Sequence, residues 1–254
     1  MANLLELTAQ DDVATISDES RLANVKLMTP QQLYELWERQ PWSAHAIDLS
    51  KDLEDWKTLP EDTRDHVVWG LSSFFVGEER VTTQFSGVVM AYEDQSEEAY
   101  LTTQQVDEAR HTQFFGRFYD EVVGISGGID AQLEGVRAEL NDAFVTLFDE
   151  HLVEACRRLV ADPADVEAKV DFVTTYHMVI EGVLALTGQF FISDFFEKQG
   201  ILPGFVEGFK NISQDEHRHV AYGTWYLQKA LAERPELSRR LKVIGVGLPE
   251  VAAA

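Results

Sequence analysis

Four glutamates and two histidines in this sequence fall where an apolar residue would be expected. Over residues 67–89 the positions Val67, Leu71, Phe74, Val81, Phe85 and Val88 mark the seam of an amphipathic helix, and the position that completes the series is Glu78. Three further stripes behave the same way: Leu101, Glu108, His111, Phe115, Phe118 and Val122; then Val170, His177, Glu181, Leu184, Phe191 and Phe195; then Phe209, Ile212, Glu216, His219 and Tyr226. Burying an unpaired carboxylate costs on the order of several kcal/mol, so inward-pointing glutamates on four apolar faces require a cation between them. Along the chain the order is Glu, Glu-x-x-His, Glu, Glu-x-x-His. Residues i and i+3 share one helix face a turn apart, so Glu108 with His111, and Glu216 with His219, can each aim an oxygen and a nitrogen at one metal ion. Glu78 and Glu181 then bridge or cap. This predicts a carboxylate-bridged di-iron or di-manganese site in an all-α four-helix bundle, with the two ions within about 4 Å of each other.

Hard carboxylates and imidazoles suit iron or manganese and leave positions open for dioxygen. Zinc favours four-coordinate sites richer in nitrogen and sulfur. A redox-active pair can hand two electrons to dioxygen, which fits an oxidase, an oxygenase, a radical generator or an iron store. The six residues do not choose among these.

The positioning elements follow from start and stop signals. Thr29, Pro30 and Gln32 open a short helix to about Gln40. The segment 41–60 reads as irregular, with Trp42 and Trp56 as core plugs or something more. Pro60 opens the first long helix, to about Tyr92, and Ser96 the second, ending near Gly124. A packing helix is expected from about Asp130 to Ala161. Asp162 and Pro163 cap the next, which Gly200 ends, and Pro203 opens one that runs to about Glu233. A last helical piece is expected over residues 236–246. Residues 1–28 lack periodicity and read as extended or partly disordered.

At 254 residues the chain can bury one large core, and a single domain over 1–254 is expected. The 44 acidic against 21 basic residues give a net charge of −23, which argues against nucleic acid or anionic membrane as partner. Cys156 is the one cysteine, which excludes a disulfide framework and fits a reducing, cytoplasmic setting. No signal peptide and no uninterrupted apolar stretch long enough to span a bilayer is expected.

The run from Trp42 through IDLSKD, with GEERV, DEARH and QDEHRH, resembles the small subunit of class I ribonucleotide reductase and its ferritin-like relatives. Those subunits usually place Asp at the first ligand position, here Glu78, and a radical-bearing Tyr four residues after the first ligand His, here Phe115. They also use a tail for docking a large subunit, and no such tail is obvious here. Closer is the resemblance to the ribonucleotide reductase small-subunit-like ligand-binding oxidases, carried by Gly77 before Glu78, Val81 three after it, and Tyr176 five before Glu181. It implies a mixed cofactor, with manganese held by Glu78, Glu108 and His111 and iron by Glu181, Glu216 and His219; di-iron is the alternative. It also implies a long-chain fatty acid at the metals, dioxygen as co-substrate, a homodimer, and an ether bond made between Val81 and Tyr176. Trp42, Asp215 and His111 are similar to the reductase Trp-Asp-His chain. Gly77, Ala185 and Gly188 either allow close helix packing or line a ligand channel. His177 shares the Glu181 face and reads as a hydrogen-bonded neighbour of a set already complete. Val81 lies on the Glu78 face, whereas α-helical geometry puts Tyr176 about 140° round from Glu181, on the flank.

Overall fold

The computed structural model of the protein describes residues 27–136 and 142–241, which form helices without a β-sheet. Helix α1 (Pro30–Arg39) begins with the expected reciprocal cap: the Thr29 hydroxyl accepts from Gln32 N–H and the Gln32 side chain accepts from Thr29 N–H at 3.0 Å. The segment 41–60, expected to be irregular, contains α2 (Ser50–Thr58). Its acidic side chains look solvent-facing in sequence, but two of them serve another helix. Asp52 is fully buried and accepts from Gly204 N–H at 2.9 Å and Phe205 N–H at 2.7 Å, and Asp55 accepts from Leu202 N–H at 3.1 Å. These are the orphan donors at the start of α8 (Pro203–Glu233), which has no side-chain cap of its own.

Helices α3 (Glu61–Met90) and α4 (Gln95–Phe118) are antiparallel neighbours joined by a short turn. Asp94, rather than Ser96, caps α4, accepting from Ser96 and Glu97 N–H at 2.8 and 3.0 Å. After α5 (Ile129–Val136), α6 covers residues 142–161 with a π-helical stretch Thr146–His151 inside it; residues 137–141 of the expected packing helix lie outside the described ones. Helix α7 (Val166–Gln199) starts at Asp165, whose carboxylate accepts from Ala168 N–H at 2.9 Å, while Asp162 and Pro163 belong to the preceding turn. Gly200 ends it in the left-handed region at φ 67°. Beyond α8 a short 3₁₀ turn, Pro235–Leu237, begins the expected last piece, whose residues past 241 lie outside the described ones.

Helices α3, α4, α7 and α8 form the bundle. At one end an aromatic layer closes it, with Phe205 against Phe118 and Phe209 at ring separations of 4.8 Å, and Phe115 against Phe75 at 6.0 Å. Two expectations change at α7. Its middle, Thr174–Ala185, is π-helical, so the wider turns shift the phase of the helix face. Residues that an α-helical count places inward beyond that point, Phe191 and Phe195, are 64% and 48% exposed. And α7 is, against the composition reading, long and apolar enough to cross a bilayer, with a mean hydropathy of 1.4 over its most apolar window. It nevertheless buries Tyr176, His177 and Glu181 against the other bundle helices, leaving Val183, Phe190, Phe191 and Phe195 as a surface stripe.

Asp52→Ala should cost about 2–3 kcal/mol, because two buried N–H groups lose a charged acceptor. For a chain of this size that lowers the thermal midpoint by roughly 5–10 °C. Asp52→Asn should recover part of it. An unchanged midpoint in Asp52→Ala would show that α8 does not depend on α2 for its start.

Candidate metal centre

Each of the four bundle helices brings its acidic position to one point near mid-bundle. Glu78 comes from α3, Glu108 and His111 from α4, Glu181 from α7, and Glu216 and His219 from α8; none is more than 6% exposed. His111 Nδ1 lies 3.2 Å from Glu78 Oε2, 3.4 Å from Glu108 Oε2 and 3.9 Å from Glu216 Oε1. His219 Nδ1 lies 2.8 Å from Glu181 Oε1, 3.0 Å from Glu108 Oε1 and 3.4 Å from Glu216 Oε2. The geometry therefore sorts the carboxylates. Glu78 and Glu181 each face one histidine, while Glu108 and Glu216 face both. Of the bridge-or-cap choice left by sequence, the lone glutamates are caps and the Glu-x-x-His glutamates span the pair. Two clusters of candidate ligand atoms result, Glu78, Glu108, His111 and Glu216 in one and Glu108, Glu181 and His219 in the other.

These groups suit a cation. Glu181 Oε2 and Glu216 Oε2 are buried without a hydrogen-bond donor. Burial pushes the Glu78 carboxyl up to about 8 despite the nearby His111, and burial with the charge of Glu216 raises Glu181. Burial disfavours a charged imidazole. Even so, Glu78 holds His111, and Glu181 and Glu108 hold His219, well above the usual imidazole range. Metal-free, the cluster can shed charge only by keeping protons; two divalent ions would match its four carboxylates and displace them.

Both histidines present Nδ1 to the cluster and Nε2 to an aspartate, which fixes tautomer and ring orientation. His111 Nε2 is 3.2 Å from Asp215, and His219 Nε2 is 3.3 Å from Asp107. Each aspartate is also held by an indole: Trp42 Nε1 donates to Asp215 at 2.7 Å and Trp37 Nε1 to Asp107 at 2.9 Å. The Arg218 guanidinium lies between the two carboxylates, 3.0 Å from Asp107. The expected Trp42–Asp215–His111 arrangement is thus assembled, and a parallel Trp37–Asp107–His219 one stands beside it. The second was missed, although DEARH and DEHRH each carry an Asp before the ligand-type Glu. His177 makes no approach to either cluster. It bonds Gln104 and packs between Tyr176 and Tyr222 at ring distances of 4.6 and 5.2 Å, and burial holds it well below the usual imidazole range.

An apolar cavity of about 700 Å³, its mouth included, opens onto the cluster between α3, α6 and α7. Glu78, Glu108, Glu181 and Glu216 form its floor, and Val81, Tyr176, Gly77, Ala185 and Gly188 all line it. Small size at Gly188 has a packing reason as well, since a Cβ there would sit 2.6 Å from the Phe74 ring; one on Gly77 would make an ordinary contact with Phe148 at 3.4 Å. Tyr176 is not on the flank: the π-helical turns carry it round, and its hydroxyl donates to Glu108 Oε1 at 2.5 Å.

A four-helix bundle with paired Glu-x-x-His motifs and two further inward glutamates defines the dinuclear carboxylate class of ferritin-like proteins. The chain belongs to the ribonucleotide reductase, small chain, family, which it matches over residues 21–243. Among solved structures it is similar to an R2-like ligand-binding oxidase with aerobically reconstituted Mn/Fe cofactor, at 26% identity and TM-score 0.81, covering 95% of this chain and 83% of that one. A glutamate-to-aspartate mutant of an R2-like ligand-binding oxidase with the same cofactor is 28% identical at TM-score 0.81, covering 96% of this chain and 83% of that one.

Metal should displace protons here, so Mn²⁺ affinity should tighten as pH rises. The raised Glu78 value makes that carboxyl's contribution to metal-free stability complete below about 4.5 and lost as pH climbs through about 8, and the two histidines, also raised, begin to lose theirs above about 6.5. The metal-free thermal midpoint should therefore fall between pH 6.5 and 8, where Mn²⁺ at a hundredfold excess over its Kd should raise the midpoint by roughly 5–10 °C. In Glu108→Ala or Glu216→Ala that stabilisation and at least one bound metal should disappear. Full metal content in both variants would refute the assignment.

Proposed function

We propose that the protein is an oxidase that activates dioxygen at one manganese and one iron, acts beside a bound long-chain fatty acid, and links its own Val81 to Tyr176. The observation that carries this is the shared cavity: the apolar walls, the carboxylate cluster, Val81 and Tyr176 border one space. Glu78, Glu108 and His111 would hold one metal and Glu181, Glu216 and His219 the other, with Glu108 and Glu216 facing both. Bound there, the metals supply two-electron chemistry with dioxygen. A fatty acid carboxylate would need no lysine or arginine, since the metals offer the positive charge. Its tail has somewhere to go. Along the same α3–α7 seam lies a second apolar space of about 650 Å³ lined by Val67, Leu71, Phe191, Ile192 and Phe195.

Tyr176 is held for coupling. Its phenol is fully buried and donates to Glu108, which can take the phenolic proton as the oxygen meets the Val81 β-carbon. The balance is Val81 C–H, Tyr176 O–H, dioxygen, two electrons from an external one-electron reductant and two protons, giving the ether and two waters. The assembled Trp42–Asp215–His111 arrangement favours a second reading, a reductase-type radical subunit. Against it, Phe115 occupies the radical-tyrosine position and is stacked into the aromatic layer without a hydroxyl. A homodimer, which the resemblance implies, could bury the exposed stripe of Phe190 and Phe191, and the buried thiol of Cys156 suits the cytoplasm.

Protein loaded with both metals and exposed to oxygen should lose two hydrogens in intact mass and yield a peptide joining the Val81 and Tyr176 segments. Both should vanish in Tyr176→Phe. Denaturing extraction should release a fatty acid. Unlinked peptides from fully loaded, oxygen-exposed protein would refute the cross-link, and extracts free of fatty acid the ligand.

A further inference from the structure

A second cavity, which nothing in the oxidase reading uses, opens between α7 and α8. It encloses about 740 Å³ with its mouth, and although much of its surface is apolar it carries the polar side chains of Gln189, Ser193, Asp194, Lys210, Ser213 and His217. On α7 it occupies the face next to that of the apolar cavity, since Gln189 follows Gly188 and is turned about 100° from it. At the rim Glu197 of α7 pairs with Lys210 of α8, bridging the two helices over the opening. Inside, the lining is half-buried until Gln189, which is 1% exposed. The Gln189 amide Nε2 donates to Glu216 Oε1 at 3.4 Å, and its Oε1 is buried with no partner.

An amide oxygen buried without a donor loses its hydration uncompensated, and a water supplies the donor when polar partners are at hand and the space exceeds the ~30 Å³ that one water occupies. This cavity has the room, and the polar side chains along it offer a water its partners. The apolar cavity has the room but not the partners for a water path: apart from the carboxylate floor its polar side chains are Tyr176, already bonded to Glu108, and Ser73. A hydrocarbon chain lying there would exclude water altogether. Yet the ether-forming reaction consumes two protons and releases two waters at its floor.

We propose that the α7–α8 cavity carries water, and the protons that travel with it, between solvent and the Glu216 side of the metal centre, with Gln189 at its inner end. This rests on the oxidase reading for its purpose. The division of labour is spatial: hydrocarbon approaches between α3 and α7, and water approaches between α7 and α8.

The test uses the full chain loaded with Mn²⁺ alone, measuring the relaxation rate of solvent water protons per bound manganese. Gln189→Leu keeps the volume and removes both polar atoms; Leu184→Phe narrows the apolar cavity instead. Manganese content and thermal midpoint, measured alongside, separate loss of access from loss of fold. At equal manganese content, Gln189→Leu should lower the relaxation enhancement at least twofold and Leu184→Phe should leave it unchanged. Ser213→Leu, farther out along the same route, should lower it as well. An enhancement unaltered in Gln189→Leu and Ser213→Leu, or lost in Leu184→Phe, would overturn the proposal while leaving the metal reading intact. Wild-type protein that takes up no manganese would overturn the metal reading itself, and the water route with it.

Discussion

Four carboxylates within reach of one another in a dry interior are what the fold has to accommodate. Alone they repel, and burial makes each charge costlier still. The bundle tolerates them because two imidazoles face them, two further aspartates hold those imidazoles from behind, and Arg218 joins the aspartates. What remains unmatched is the charge of the glutamates themselves and two oxygen atoms with no donor. A pair of divalent cations completes the arrangement, so metal binding and the integrity of the mid-bundle are one problem.

Much of this was legible in the sequence because the signal was a contradiction. Glutamate on an apolar seam breaks the helical pattern, and the break recurs on four stripes with a repeated spacing. Helix ends marked by Thr29, Gly200 and Pro203 were legible for the same local reason: their chemistry concerns residues a few positions away. Asp52 was not, because its partners are the backbone N–H groups of Gly204 and Phe205, far along the chain. Its helix shows only an acidic, weakly apolar pattern, and nothing local announces that the acids face inward. Asp107 was overlooked for a subtler reason. Its role depends on a histidine of another helix, and only the doubled Asp-Glu in DEARH and DEHRH hinted at it.

The π-helical middle of α7 is where periodicity arguments failed. An α-helical count places Tyr176 beside the site and Phe191 and Phe195 inside; the wider turns bring Tyr176 onto Glu108 and send the two phenylalanines outward. π-bulges carry an energetic cost and occur often at functional sites. Here the wide turns place the phenol and Glu181 together at one cavity, a juxtaposition that a regular helix would deny to residues five apart.

Glu108 and Glu216 each face both histidines, and this has a thermodynamic meaning. Two sites that share half of their anionic ligands are not independent. An ion in the first would draw the shared oxygens toward it, which would aid the second ion by prepaying their orientation but oppose it through cation–cation repulsion. Whichever effect is larger, occupancy of one position is linked to affinity at the other, reciprocally and by the same factor. Discrimination between manganese and iron is then a property of the pair of positions together and not of either one alone.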